Sequence, residues 1–202
     1  MTFFLTFIAV YCLKKKANMD SNTINYNEEV LKGGLIVSGV SILLTMIIYI
    51  IDIELLVSGW FGFISLILSI GILIYIGRSF RDAIGGYMTY KNSLKFTYLV
   101  LLVSYVVGSI FNFLLYNVID PSLTEVVTEL TIQNTIPMLE SFGTPQEAID
   151  AAVIEIEKGV EQQSSPMGIL KATPWALLFT FIFALIASFF VKKNEPVSDR
   201  IN

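Results

Sequence analysis

Residues 33–51 read GGLIVSGVSILLTMIIYII and contain no Asp, Glu, Lys, Arg or His side chain. Three further charge-free runs follow at residues 55–77, 96–119 and 172–191. A helix rises about 1.5 Å per residue, so runs of roughly 20 residues match a hydrocarbon core of about 30 Å. The pattern predicts an all-α polytopic membrane protein with four transmembrane helices.

The composition favours the membrane class and argues against the common kinds of metal enzyme. Hydrophobic residues make up 54% of the chain and charged residues 15%, compared with about 25% charged in ordinary soluble proteins. The chain has no histidine and a single cysteine, Cys12, so it cannot form an internal disulfide and lacks the usual zinc ligand sets. We expect no catalytic, cofactor-binding or metal-binding residue, and no nucleic-acid partner.

Basic residues collect on alternate connections between the runs. The segment before the first run, the link at residues 78–95 and the tail after residue 191 hold eleven of the 13 lysines and arginines. By the positive-inside rule these segments are cytoplasmic, so we expect both termini inside and residues 120–171 outside an inner (cytoplasmic) membrane. These eleven residues are Lys14, Lys15, Lys16, Lys32, Arg78, Arg81, Lys91, Lys95, Lys192, Lys193 and Arg200.

The charge pattern divides the chain into six segments. We assign an apolar and basic N-terminal extension to 1–18, a cytoplasmic lead-in to 19–32, the first three transmembrane helices to 33–119, an extracytoplasmic helical hairpin to 120–171, the fourth transmembrane helix to 172–191, and a cytoplasmic tail to 192–202. Residues 2–13 would form a helix of only about 18 Å. They are either an interfacial anchor or an extension upstream of a natural start at Met19.

The outer connections differ in size. The first, around residues 52–54, is short enough to make the first two spans an antiparallel hairpin. The second carries two helix-start patterns, Ser122 with Glu125 and Thr144 with Glu147, which predict an amphipathic helical hairpin. Pro137 is expected to kink or end its first helix, and Ser165-Pro166 and Thr173-Pro174 are successive start signals for the last span. The faces expected to be buried are Leu123, Val126, Val127 and Leu130 on the first helix, and Ile149, Ala152, Val153, Ile156 and Val160 on the second.

Small and weakly polar residues recur at helical spacing within the spans. Such stripes can line a polar path, but their commoner use is close helix packing. No ionisable residue lies inside a charge-free run, which disfavours ion-coupled transport, and Asn112 is the most polar side chain there. The stripes are Gly34, Ser38, Ser41 and Thr45; Ser58, Gly62, Ser65 and Ser69; Ser104, Gly108 and Asn112; and Thr180, Ala184 and Ser188.

Charged clusters outside the spans have ordinary explanations. The link at residues 78–95 can clasp anionic headgroups or a protein, although setting the topology is its more common role; Gly85 and Gly86 form its turn and lack the continuation of a phosphate loop. The acidic residues Glu147, Asp150, Glu155, Glu157 and Glu161 fit a solvated helix face better than a cation site. Asp52, Glu54 and Asp120 have no accompanying nucleophile and base.

Three stretches carry a family resemblance: GGYMTYKNSLK at residues 85–95, LYNVIDP at 115–121 and SP at 165–166. With them, from about residue 27 to residue 193, the chain resembles domain of unknown function forty-one ninety-nine. The resemblance implies a small four-helix inner-membrane protein of a group found mostly in Bacteroidota, with no established activity and no functional residue to carry over. Residues 2–16 are not part of that pattern, which favours Met19 as the start.

These observations lead to one preferred function and two alternatives. We expect a non-catalytic membrane protein whose partners are the lipid bilayer and either a second copy or another envelope membrane protein. The alternative is a small-solute transporter or channel without ionisable intramembrane residues. An intramembrane enzyme comes third.

Overall fold

The computed structural model describes residues 25–195. The N-terminal extension, the first part of the lead-in, Cys12, the two proposed starts and the last seven residues of the tail lie outside this range. Within it every element is helical, and an isolated antiparallel bridge joins Met88 to Lys193. The elements are α1 (Tyr26–Ile51), α2 (Ile53–Val57), α3 (Gly59–Ala83), α4 (Tyr90–Leu114) continued by a π-helical turn (Leu115–Ile119), α5 (Leu123–Ser141), α6 (Gln146–Ser164) and α7 (Pro166–Val191).

Four of these helices are long and apolar enough to cross a membrane: α1, α3, α4 with its π-helical turn, and α7. Their most apolar 18-residue windows have mean hydropathy between 2.1 and 2.5. The predicted all-α fold with four membrane-spanning helices is confirmed, and the protein is a multi-pass membrane protein. The helices extend beyond the charge-free runs, because α1 already begins at Tyr26 and α7 at Pro166.

The four long helices form a bundle in the order α1, α3, α7, α4, with α1 and α4 packed against each other. One end of the bundle carries the α3–α4 link and the residues after α7, and we call it the basic end. Its core contains three packed aromatic rings: those of Phe80 and Phe96 stack with centroids 4.2 Å apart, and Tyr26 meets both edge-on. Gly85 and Gly86, with φ of 112° and 84°, make the turn of this link as predicted.

The opposite end, which we call the hairpin end, carries α5 and α6. These two helices pack on each other, on α2 and on the start of α7. Leu115, Leu123, Val127 and Val160 form a small buried core there. The predicted buried faces are confirmed, since Leu123, Val127, Ile149 and Val160 are buried and the other five members are partly buried.

Several local predictions are wrong, each for a definable reason. The first connection is longer than expected, because α2 inserts one helical turn between Asp52 and Ser58. Helix α5 continues past Pro137, which excludes an end there and leaves a kink, the other alternative, as a prediction. Helix α7 begins at Pro166 after its cap at Ser165, as the first start signal predicts, and runs through Pro174, so the second signal does not start a helix. Neither predicted capping box forms on the hairpin. Ser122 instead donates its hydroxyl and N–H to Asp120, and Pro145 stands directly before α6 without a side-chain cap.

Candidate functional site

Two glycines allow very close helix packing. A Cβ atom at Gly34 on α1 would lie 2.5 Å from Cβ of Val103 on α4, and one at Gly77 on α3 would lie 2.6 Å from Cγ2 of Val191 on α7. Both distances are shorter than real side chains allow. The predicted role of small residues in helix packing is therefore confirmed at Gly34, and Gly77 has the same role although it stands outside the predicted stripes.

Farther along the same pair of helices, α1 and α4 leave a cleft of about 270 Å³ between them. It lies in the middle of α1 and continues toward the hairpin end of α4. A Cβ atom added at Gly108 would meet nothing within 4 Å, so the small-residue stripes do not close on each other here. The cleft is lined by Ser38, Ser41, Ile42, Thr45, Ser104, Tyr105, Gly108, Ser109, Phe111 and Asn112.

The polar groups of this cleft are only partly used within the protein. Ser38 and Ser41 donate their hydroxyls to carbonyls of their own helix, at 2.9 and 3.0 Å. Tyr105 pairs with Thr173 on α7 across 3.1 Å. The side chains of Thr45, Ser104, Ser109 and Asn112 make no hydrogen bond to any other residue in the range 25–195. The cleft thus presents hydrogen-bonding groups at a depth where lipid tails offer none in return.

The other predicted stripes are used differently. On α3, Ser69 approaches Ser41 at 3.5 Å, whereas Ser65 lies outside the cleft and a Cβ atom at Gly62 would meet nothing within 4 Å. Ser58 caps α3 by accepting from the N–H of Phe61. On α7, Ala184 and Ser188 are fully buried and serve packing, as predicted.

Asp120 joins the hairpin to the bundle. Its carboxylate accepts a hydrogen bond of 2.9 Å from the Tyr49 hydroxyl on α1, and it also accepts from the hydroxyl and the N–H of Ser122. The Ser122 hydroxyl, followed by Tyr49, holds the pKa of Asp120 below its usual range, while desolvation opposes this in part. Asp120 is therefore an anchoring carboxylate.

The outward face of the hairpin is acidic. The five acidic residues predicted to form a solvated helix face, Glu147, Asp150, Glu155, Glu157 and Glu161, are all exposed on α6. No group of three or more acidic, cysteine or histidine side chains within residues 25–195 is arranged to hold a metal ion. Phe142 stands at the tip with 77% of its surface exposed. The hairpin thus combines an acidic face with an apolar tip.

The basic end is joined by contacts between distant segments. Arg78 Nε donates to the carbonyl of Phe190 at 3.2 Å, and an Arg81 Nη donates to that of Val191 at 3.1 Å. These arginines cap carbonyls that the end of α7 leaves free. Met88 and Lys193 exchange two backbone hydrogen bonds of 2.8 and 2.9 Å. The α3–α4 link and the end of α7 therefore form one surface.

Sequence reasoning missed several of these contacts. The Asn117 amide donates to the carbonyls of Phe113 and Ser164, at 2.9 and 2.6 Å, which joins the π-helical turn to the end of α6. Asn117 stands in the LYNVIDP stretch, but no spacing rule links it to Ser164. The Tyr49–Asp120 bond could have been expected from the sequence. Tyr49 lies near the end of the first span and Asp120 directly follows the third, so both are at the same end of the bundle.

No curated protein and no solved structure matches the chain. Residues 32–193, most of the chain, match a family described as "Protein of unknown function (DUF4199)". The match covers the hairpin, the basic end and all four membrane-spanning helices except for the first residues of α1. It agrees with the resemblance seen in the sequence. The chain belongs to the DUF4199 family of proteins of unknown function.

Proposed function

We propose that the protein is a non-catalytic component of the inner membrane that acts by association, with its hairpin outside the cytoplasm as the contact surface. The partner is either a second copy or another envelope membrane protein. One observation carries this proposal: the hairpin is seated on the bundle and displays an acidic face with an exposed apolar tip. Seating by a buried core and by the Tyr49–Asp120 bond gives that surface a defined position.

The proposed orientation rests on the distribution of charge. Within residues 25–195, Lys32, Arg78, Arg81, Lys91, Lys95, Lys192 and Lys193 lie at or near the basic end, and only Lys158 and Lys171 belong to the hairpin half. The positive-inside rule then favours the basic end as the cytoplasmic one. Both chain termini would be cytoplasmic.

Thiol labelling tests this orientation. With Cys12 replaced by serine, a single cysteine is introduced at Ser141 in the hairpin or at Asn194 after α7. A membrane-impermeant maleimide applied to intact spheroplasts should modify the first and spare the second until the cells are lysed. Labelling at Asn194 and protection at Ser141 in intact cells would reverse the topology.

Photo-crosslinking tests the association. Phe142 and Trp60 are both aromatic and both 77% exposed, but Phe142 is at the hairpin tip and Trp60 lies near the start of α3. A photoreactive phenylalanine analogue at Phe142 should give one discrete product, either a dimer or one protein that reappears in the reciprocal experiment. The analogue at Trp60 should not give this product. The same product from both sites, or no defined product from Phe142, contradicts the proposal.

The cleft between α1 and α4 favours a second candidate, a path or binding site for a small uncharged solute. Asn112 lines the cleft and Ser65 does not, which provides a matched pair of variants. If the protein conducts a solute in proteoliposomes, Asn112→Leu should abolish the flux and Ser65→Leu should preserve it. Equal loss in both variants, or no flux from folded protein over a broad solute panel, counts against transport.

A further inference from the structure

The lysines of the basic end are positioned by the fold. The bridge between Met88 and Lys193 holds the end of α7 beside the start of α4, and Met88 is only 3% exposed. Lys192 Nζ lies 4.2 Å from the ring centroid of Phe189 and 5.9 Å from that of Tyr90. Lys193 Nζ lies 5.2 Å from the centroid of Tyr87. Aromatic rings leave the ammonium groups free to donate hydrogen bonds to an anion.

These lysines have no carboxylate partner. The ion pairs formed among residues 25–195 involve Lys32 with Glu28 and Glu29, Arg81 with Asp82, and Lys158 with Glu155. Lys192 and Lys193 are absent from them. No carboxylate among residues 25–195 therefore lies within ion-pairing distance of these two lysines.

A helix C-terminus carries partial negative charge and would repel an anion. At the end of α7 this effect is offset, because Arg78 and Arg81 donate to the carbonyls of Phe190 and Val191. The two lysines that follow α7 then add their full charge to the surface. The corner is suited to an anion despite its position at a helix C-terminus.

Apolar side chains lie directly below the lysines on α7. Ile186, Phe189 and Phe190 are 46%, 61% and 51% exposed. Because α7 is a membrane-spanning helix, these side chains meet acyl chains, and the two lysines directly after the last residue of α7 stand at headgroup level. Positive charge above an apolar face complements a lipid better than it complements free phosphate.

We propose that this corner, formed by Lys192 and Lys193 above Phe189 and Phe190, is a binding site for the phosphate headgroup of an anionic phospholipid. The lysine ammonium groups bind the phosphate oxygens, and the acyl chains lie along the exposed face of α7. The site does not depend on the proposed association through the hairpin, which is at the opposite end of the bundle.

The test uses the full chain in neutral detergent and measures retained lipid by native mass spectrometry, with phosphatidylglycerol and phosphatidylcholine as probes. Each lysine near a charged surface contributes about fivefold in affinity, so Lys192→Gln with Lys193→Gln should weaken phosphatidylglycerol binding about 30-fold. Lys158→Gln with Lys171→Gln, the matched pair at the other end, should leave it unchanged. Lys192→Arg with Lys193→Arg should also retain binding.

Three outcomes overturn the proposal. The first is wild-type affinity for phosphatidylglycerol in the Lys192→Gln, Lys193→Gln variant, and the second is equal retention of phosphatidylcholine and phosphatidylglycerol by the wild type. The third is displacement of the lipid by inorganic phosphate at matched concentration, since that would make the acyl chains irrelevant. Equal melting temperatures of wild type and glutamine variant in detergent without added lipid show that the variant is folded.

Discussion

Glycines on the same pair of helices have opposite surroundings at the basic end and in the middle of the bundle. Gly34 on α1 faces Val103 so closely that a methyl group would not fit, whereas Gly108 on α4 faces open space beside a cleft. A small-residue stripe therefore does not by itself bring two helices together. Whether it closes depends on the residue opposite, and a β-branched valine fills the space at Gly34.

Gly34→Ala should produce the largest effect. Its methyl group would collide with Val103, and overpacking of this kind costs about 1–3 kcal/mol. Gly39→Ala on the same helix is the matched control, because a Cβ atom there meets nothing within 4 Å and alanine favours a helix by up to about 1 kcal/mol. Melting temperatures in detergent should move in opposite directions. Equal shifts would show that α1 and α4 do not touch at Gly34.

Ser165→Ala should have the next largest effect and tests how the hairpin end is held. The Ser165 hydroxyl accepts from the N–H of Gly168 and caps α7, and loss of such a cap costs about 1 kcal/mol. Thr144→Ala, at the position that the sequence favours as a cap, should change the stability little, because no side-chain cap precedes α6. Chemical denaturation of both variants checks this. A larger loss of stability for Thr144→Ala than for Ser165→Ala would show that Thr144 caps α6, as the sequence predicts.

The parts predicted from sequence are those set by local patterns. Charge-free runs identify the spans, and helical periodicity identifies Leu123 and Val127 as buried, because both signals act within one helix. The caps depend on which hydrogen-bonding group reaches the capping residue first, and the cleft depends on how far apart two helices lie. Neither can be read from the pattern within one helix. Ser122 could cap α5, but Asp120 takes its hydroxyl and N–H. Likewise, nothing in the stripe at Ser104 and Asn112 shows that the opposing helix stays apart.

The attachment of the hairpin to the bundle through Asp120 should weaken in acid. The pKa of Asp120 is lowered by the Ser122 hydroxyl and by Tyr49, so the ionised carboxylate is the form that these donors stabilise. The stabilisation is fully present above the ordinary aspartate pKa of about 3.9 and is lost as the pH falls through the lower folded value. Energy transfer between dyes attached at Ser141 and Asn194 measures the distance of the hairpin from the opposite end of the bundle, which should change as the attachment is lost.

Tyr49→Phe sharpens the acid experiment, because it removes one donor and leaves the ring. The variant should show a smaller dependence on pH over the same range, and Glu157→Gln on the exposed face should behave as wild type. Identical pH profiles for wild type and Tyr49→Phe would show that the Tyr49 hydroxyl does not help to attach the hairpin to the bundle.

Gly108→Leu should cause the smallest loss of stability, because its side chain enters open space between α1 and α4. We expect no loss, and a gain of at most about 1 kcal/mol because leucine favours a helix more than glycine does. Its effect should appear in access to the cleft. With Cys12 replaced by serine and a cysteine at Ser104, Gly108→Leu should slow thiol modification severalfold, whereas Gly62→Leu, at an equally open position outside the cleft, should not. A destabilisation as large as that of Gly34→Ala would mean that α1 and α4 are already in contact there, and the contrast between the two glycines would disappear.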